Sequence, residues 1–138
     1  MNQRNLCQST ILAEQAEGGP QRVWMFENCG AGYAGFSIVG NTLFTMGGRD
    51  GKCQLIALDA NTGKIKWYQQ LVHHDIWDFD LAAPPALIDI RRNGRTIPAV
   101  SMITKMGIMF VFNRETGEAV YGMEERPVPQ TTAKGEWT

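Results

Sequence analysis

Apolar and polar side chains alternate in short runs over most of the chain, and the runs are closed by glycine, asparagine or aspartate. Alternation with a period of two marks extended strands that bury one face. It predicts strands near 22–27, 35–39, 42–47, 53–59, 64–69, 85–90, 97–104, 107–113 and 118–122. Gly40-Asn41 and Asn61-Thr62-Gly63 fall between runs and suit hairpin turns, because Gly and Asn accept a positive φ. A helical apolar period is suggested only over 8–16. Residues 1–20 therefore read as an irregular tail or short helix, and 21–138 as nearly all β.

The strand pattern repeats. ALDANTGKIKW at 57–67 returns in degenerate form as VFNRETGEAVY at 111–121, with Thr62 and Thr116 separated by 54 residues, as are Trp67 and Tyr121. Trp24 in RVWMFE precedes Trp67 by 43 residues. Four antiparallel strands of one propeller blade need about 40–45 residues. The unit predicts a Thr-Gly turn between the third and fourth strands, and an outer-strand Trp packing on the neighbouring blade. Trp24, Trp67 and Tyr121 thus mark about two and a half blades of four antiparallel strands each. Two and a half blades cannot close a ring. A piece of a longer propeller, completed by further blades or by self-association, is the expectation.

Composition narrows the function. Thirteen basic and fourteen acidic side chains give a formal net charge of -1 with 43% apolar residues. That is a globular balance without the basic footprint of a nucleic-acid binder. No stretch has the length or apolarity of a secretion signal or membrane span. Cys7, Cys29 and Cys53 lack the close pairing of a zinc site and read as ordinary thiols, with one disulfide as the alternative.

Polar chemistry concentrates in Val-His-His-Asp-Ile-Trp-Asp-Phe-Asp at 72–80. Three readings of it compete. His73, His74, Asp75, Asp78 and Asp80 all carry metal-ligating atoms, but adjacent histidines on an extended segment point to opposite sides. One carboxylate or histidine could serve as general acid or base beside an apolar wall formed by Trp77. Alternatively, the aspartates cap turns and the histidines bond backbone carbonyls.

The nonapeptide, the LAAPPALIDI run, Thr-Lys-x-Gly at 104–107, the Arg-x-Thr-Gly-Glu turn and EERPVPQTTAKGEW occur in an order that resembles pyrroloquinoline-quinone (PQQ)-dependent dehydrogenases. The His-His-Asp form is similar to the quinoprotein glucose dehydrogenase branch, and the likeness covers roughly 53–138. The stretch VWMFENCGAGYAGFSIVGNTLFTMGGRDG resembles non-catalytic PQQ-like propeller repeats. The resemblance implies an eight-bladed propeller with PQQ and Ca²⁺ near its axis, the Ca²⁺ ligands coming from outside this chain. It implies Asp78 as general base, Lys105 as a hydrogen-bond donor to the quinone, and His74 and Trp77 on the substrate side. It further implies a periplasmic enzyme that oxidises a sugar or alcohol and passes electrons to a quinone or cytochrome. The isolated 138 residues are then expected to turn over little. A propeller scaffold without enzymatic activity is the alternative.

Overall fold

The computed structural model describes residues 21–49, 52–75, 78–79 and 81–137. The tail over 1–20 lies outside them, as do Trp77 and Asp80. Seven strands are present among the described residues: β1 (Ser37–Val39), β2 (Thr42–Arg49), β3 (Lys52–Asp59), β4 (Ile65–Val72), β5 (Ala86–Arg92), β6 (Arg95–Ile103) and β7 (Met109–Asn113). They form two antiparallel sheets that follow chain order, β1-β2-β3-β4 and β5-β6-β7. The second sheet is extended by an isolated bridge between Phe112 and Ala119, at the place of a fourth strand.

The registers explain the alternation. Phe44 opposes Ala57 and Met46 opposes Leu55, so these four share one face of the first sheet. Val100 opposes Leu87 and Phe112 in the second. Phe44, Met46, Leu55 and Ala57 join Leu81, Val100, Met102 and Phe112 in a single buried cluster. The two sheets are thus stacked face to face like neighbouring blades. Leu43, Ile56 and Leu58 alternate onto the opposite face, where Cys29, Trp24 and Phe26 cover them. Buried on both faces, β2 and β3 form the centre of the structure.

The 22–27 run, expected as a strand, is extended backbone without ladder partners among the described residues. Its alternation is real, with Val23 82% and Met25 51% exposed, while Trp24 and Phe26 face the core. Only a single bridge stands where the 118–122 strand was expected.

The two Thr-Gly turns are built alike. In the first, the Asp59 carboxylate accepts the Asn61 and Thr62 backbone N–H groups at 3.0 and 2.9 Å and the Thr62 hydroxyl at 2.9 Å. In the second, Asn113 Oδ1 accepts from Glu115 and Thr116 N–H at 2.9 and 3.4 Å. Gly63 and Gly117 take φ +70° and +80°, and each lies under a tryptophan from the preceding repeat. Trp24 Nε1–H donates to Ala60 O at 2.8 Å and Trp67 Nε1–H to Arg114 O at 3.3 Å, equivalent positions in the two turns. Tyr121, the third mark, is 63% exposed, and the Arg92 guanidinium lies 5.1 Å from the centre of its ring.

The paired turns give a pH prediction. The Thr62 hydroxyl bond, helped by the backbone N–H groups, holds the Asp59 carboxyl below its ordinary value. A carboxyl lowered in the folded state adds stability above its unfolded value of about 4, and that stability is lost as pH falls through the folded value. Asp59→Asn, which copies the uncharged acceptor of Asn113, should flatten this acid-side loss and leave the turn intact. Denaturant midpoints compared between about pH 6 and pH 3 provide the check. Parallel pH profiles for the two proteins would refute it.

Candidate active site

The segment after β4 is anchored in the core at its far end. Leu81 belongs to the core between the sheets, Pro85 is fully buried, and the Ser37 hydroxyl donates to Pro85 O. Gly35 has no Cβ, which leaves room for the Pro84 ring: a Cβ there would come within 2.8 Å of it. Within the segment the Asp75 carboxylate accepts the Phe79 N–H at 2.7 Å, a local cap. This cap coincides with Asp78 at φ +59°, a backbone state that Asp and Asn tolerate better than most residues.

Lys105 reaches the same place from the β6–β7 turn. Thr104 is 4% exposed. Its carbonyl accepts the Gly107 N–H at 2.9 Å and its hydroxyl the Ile108 N–H at 3.3 Å. Gly107 supplies φ +77°, so the Thr-Lys-x-Gly order is the recipe for this tight turn. At its tip Lys105 Nζ donates to Asp78 Oδ2 at 2.7 Å. The two side chains are 39% and 83% exposed, so an ammonium and a carboxylate stand together on an open surface. Met106 and Ile108, in the same turn, are 43% and 46% exposed.

Both histidines turn to the segment after the last strand. His73 Nε2 lies 2.8 Å from Glu125 Oε1, and its Nδ1 lies 2.9 Å from Gln70 Nε2. His74 Nε2 lies 3.4 Å from Glu136 Oε2, and its ring stacks on Trp137 with centroids 4.1 Å apart and planes 16° from parallel. The turn-capping role foreseen for the aspartates is therefore met by Asp75, whereas the histidines meet carboxylates instead of backbone carbonyls. Glu125, Glu136 and Trp137 escaped the sequence reading; the only signal was the EERPVPQTTAKGEW string, whose individual residues carried no assigned role. Among the described residues no group of three or more His, Cys, Asp or Glu side chains is arranged to hold a metal ion.

The sequence pattern of the PQQ glucose/ethanol/alcohol dehydrogenase β-propeller domain matches residues 46–138. The chain belongs to this quinoprotein family. It is 48% identical to the quinoprotein glucose dehydrogenase of Escherichia coli (strain K12) over 83 residues, which is 60% of this chain and 10% of that enzyme. Identity to the quinoprotein glucose dehydrogenase of Gluconobacter oxydans (strain 621H) is 44% over 85 residues, 61% of this chain and 10% of the relative. The fold is similar to that of a europium-containing methanol dehydrogenase, with a TM-score of 0.58 and 23% identity, covering 74% of this chain and 22% of that one. The quinoprotein chain thus spans about a tenth of the length of these curated relatives. The Asp78–Lys105 pair, both histidines and the Glu136-Trp137 contact all fall inside the matched region.

Proposed function

We propose that this chain carries the proton-accepting side of a PQQ-dependent dehydrogenase that oxidises a hydroxyl of an aldose, with Asp78 as the general base. The observation that carries the reading is the 2.7 Å contact between Asp78 and Lys105, two residues 27 apart that the fold brings together at an open surface. The donor set suits a quinone cofactor: an ammonium for its carbonyl oxygens, a carboxylate for the substrate proton, and exposed apolar side chains in the same turn.

When bound, PQQ supplies the electrophilic carbon that accepts hydride. The chain's own residues do the rest. Asp78 takes the substrate hydroxyl proton on a carboxylate oxygen, which avoids a developing alkoxide as hydride leaves. The Lys105 ammonium stabilises negative charge at adjacent oxygens and holds the carboxylate in place. The Thr104 hydroxyl and Gly107 fix the turn that presents Lys105, and the Asp75 cap fixes the backbone next to Asp78. A polyhydroxylated substrate, an aldose in this proposal, is favoured over a simple alcohol because two glucose dehydrogenases are 48% and 44% identical to this chain over 83 and 85 residues. Assignment of residues 21–138 to consecutive blades, a Ca²⁺ requirement met by ligands outside this chain, electron delivery to a quinone or cytochrome, and a periplasmic setting belong to the same proposal.

Thermal unfolding with PQQ and Ca²⁺ tests it, in the propeller completed by the further blades that this proposal requires. At 100 times its dissociation constant the cofactor should add roughly 2.7 kcal/mol of stability. Lys105→Ala should abolish most of that gain while changing the unliganded melt little, since an exposed ion pair contributes about 0–1 kcal/mol. Absence of any quinone-dependent shift would overturn the reading in favour of a scaffold.

A further inference from the structure

We propose that Glu136 and Trp137 are positioning residues for His74, and that through them the segment after the last strand completes the substrate side of the site. The inference rests on the functional reading above, to which it adds the substrate-side place that the motif resemblance implies for His74. Its tautomer and orientation stand on geometry alone.

A carboxylate can only accept, so the contact between His74 Nε2 and Glu136 Oε2 puts the ring proton on Nε2. In the neutral ring Nδ1 is then the lone-pair acceptor. Stacking on Trp137 at 4.1 Å and 16° fixes the plane of the imidazole. His73 is treated in parallel: Glu125 takes its Nε2–H, and the amide of Gln70 faces its Nδ1. The residues that fix these rings lie 52 and 62 positions away in sequence. Two neighbouring side chains are therefore held in one tautomer each by one remote segment.

Stabilisation does not account for this arrangement. The His73 and Glu125 side chains are 61% and 75% exposed, and those of His74 and Glu136 are 26% and 51% exposed. Contacts of that exposure contribute little to folding, about 0–1 kcal/mol. They do determine which nitrogen can accept and which way the ring lies. His74 stands four residues before Asp78 and directly precedes Asp75, whose carboxylate caps the turn that carries Asp78. With Nε2 committed, His74 Nδ1 can accept a hydrogen bond from a second hydroxyl of a polyhydroxylated substrate whose reacting hydroxyl is served by Asp78. A substrate with one hydroxyl makes no use of it.

Imidazole ¹⁵N–¹H correlation spectra of the unliganded chain test the geometry. Both histidines should show the Nε2–H tautomer, and the carbon-bound protons of His74 should be moved upfield by the Trp137 ring current. Trp137→Ala should remove the upfield shift, Trp137→Phe should keep much of it, and Glu136→Gln should mix the tautomers. Random-coil shifts with mixed tautomers in the unaltered chain would overturn the proposal. Kinetics of the completed, PQQ-loaded propeller test the role. Trp137→Ala should raise KM for glucose about tenfold, within the roughly 100-fold that misplacement by 1 Å can cost. In the same variant kcat should stay nearly constant, KM for ethanol should not change, and Trp137→Phe should restore the glucose value. Equal effects on glucose and ethanol, or none on either while the spectra show His74 released, would overturn the positioning role. A protein that shows the expected spectra but no quinone-dependent melting shift would instead refute the functional reading, and with it His74 as a substrate group.

Discussion

Asp78→Asn should lower quinone-dependent dye reduction by about 10²–10⁴-fold, the usual loss when a positioned acid–base group is removed, with almost no change in the melting temperature. Three features of the site make this substitution a clean one. Asn has the size and planarity of Asp, so the side chain fills the same space. The backbone at residue 78 sits at φ +59°, and Asn is one of the few side chains that accepts this conformation readily. The ion pair that is lost, Lys105 Nζ to Asp78 Oδ2, involves a carboxylate that is 83% exposed, and water can replace most of it. Asp78→Ala would be a poorer test, because it adds left-handed backbone strain to the loss of the base. Activity of the completed propeller with saturating PQQ and Ca²⁺, measured beside a circular-dichroism melt, separates chemistry from folding. An Asp78→Asn protein that kept its activity within a few-fold would assign the proton to another group. Asp75 is poorly suited to take it, since its Oδ1 already accepts the Phe79 N–H.

The legibility of this structure in its sequence differs between core and surface. β2 and β3 were readable because Phe44, Met46, Leu55 and Ala57 alternate with Leu43, Ile56 and Leu58, and each set is buried on its own face. The Thr-Gly turns were readable because their chemistry is local: an Asp or Asn, two residues, Thr, then Gly at positive φ. The 22–27 run shows what alternation measures. Val23 and Met25 point outward while Trp24 and Phe26 cover the core, so the period of two reports an extended backbone with one face buried and says nothing of a ladder partner. The site divides similarly. Asp78 and Lys105 were singled out through a string of motifs, and the fold brings them to 2.7 Å. Glu125, Glu136 and Trp137 were not, because they lie in a polar, proline-interrupted stretch without periodicity, and their partners are more than fifty residues away. No local rule carries such a contact. Trp77 stands outside the described residues, and its expected substrate-side place rests on the motif resemblance alone.

Trp67→Ala should be the most destabilising of the substitutions considered, at about 3 kcal/mol, the low end for a tryptophan truncation because the ring is only half-buried. That corresponds to a fall of on the order of 10 °C in melting temperature for a chain of this size. Trp67 packs both within its own sheet and across to the next. Its ring lies against Phe44 in the core, with centroids 5.7 Å apart, and it covers the Thr-Gly turn of the next repeat. A Cβ on Gly117 would come within 2.8 Å of the ring, and Gly117 already sits at φ +80°. Gly117→Ala therefore meets both a steric clash and left-handed backbone strain, the latter about 1–2 kcal/mol. The double variant separates the two. Once the indole is gone the clash disappears and only the backbone strain remains, so the two single costs should sum to more than the double cost by about 0.5–3 kcal/mol. Trp67→Phe keeps most of the ring and loses the Nε1–H bond to Arg114 O, long at 3.3 Å, and should cost about 1 kcal/mol. Strict additivity in the Trp67/Gly117 cycle would mean that the ring and the turn do not sense each other. The 54-residue spacing between Thr62 and Thr116 would then be a repeat of sequence without a repeat of packing.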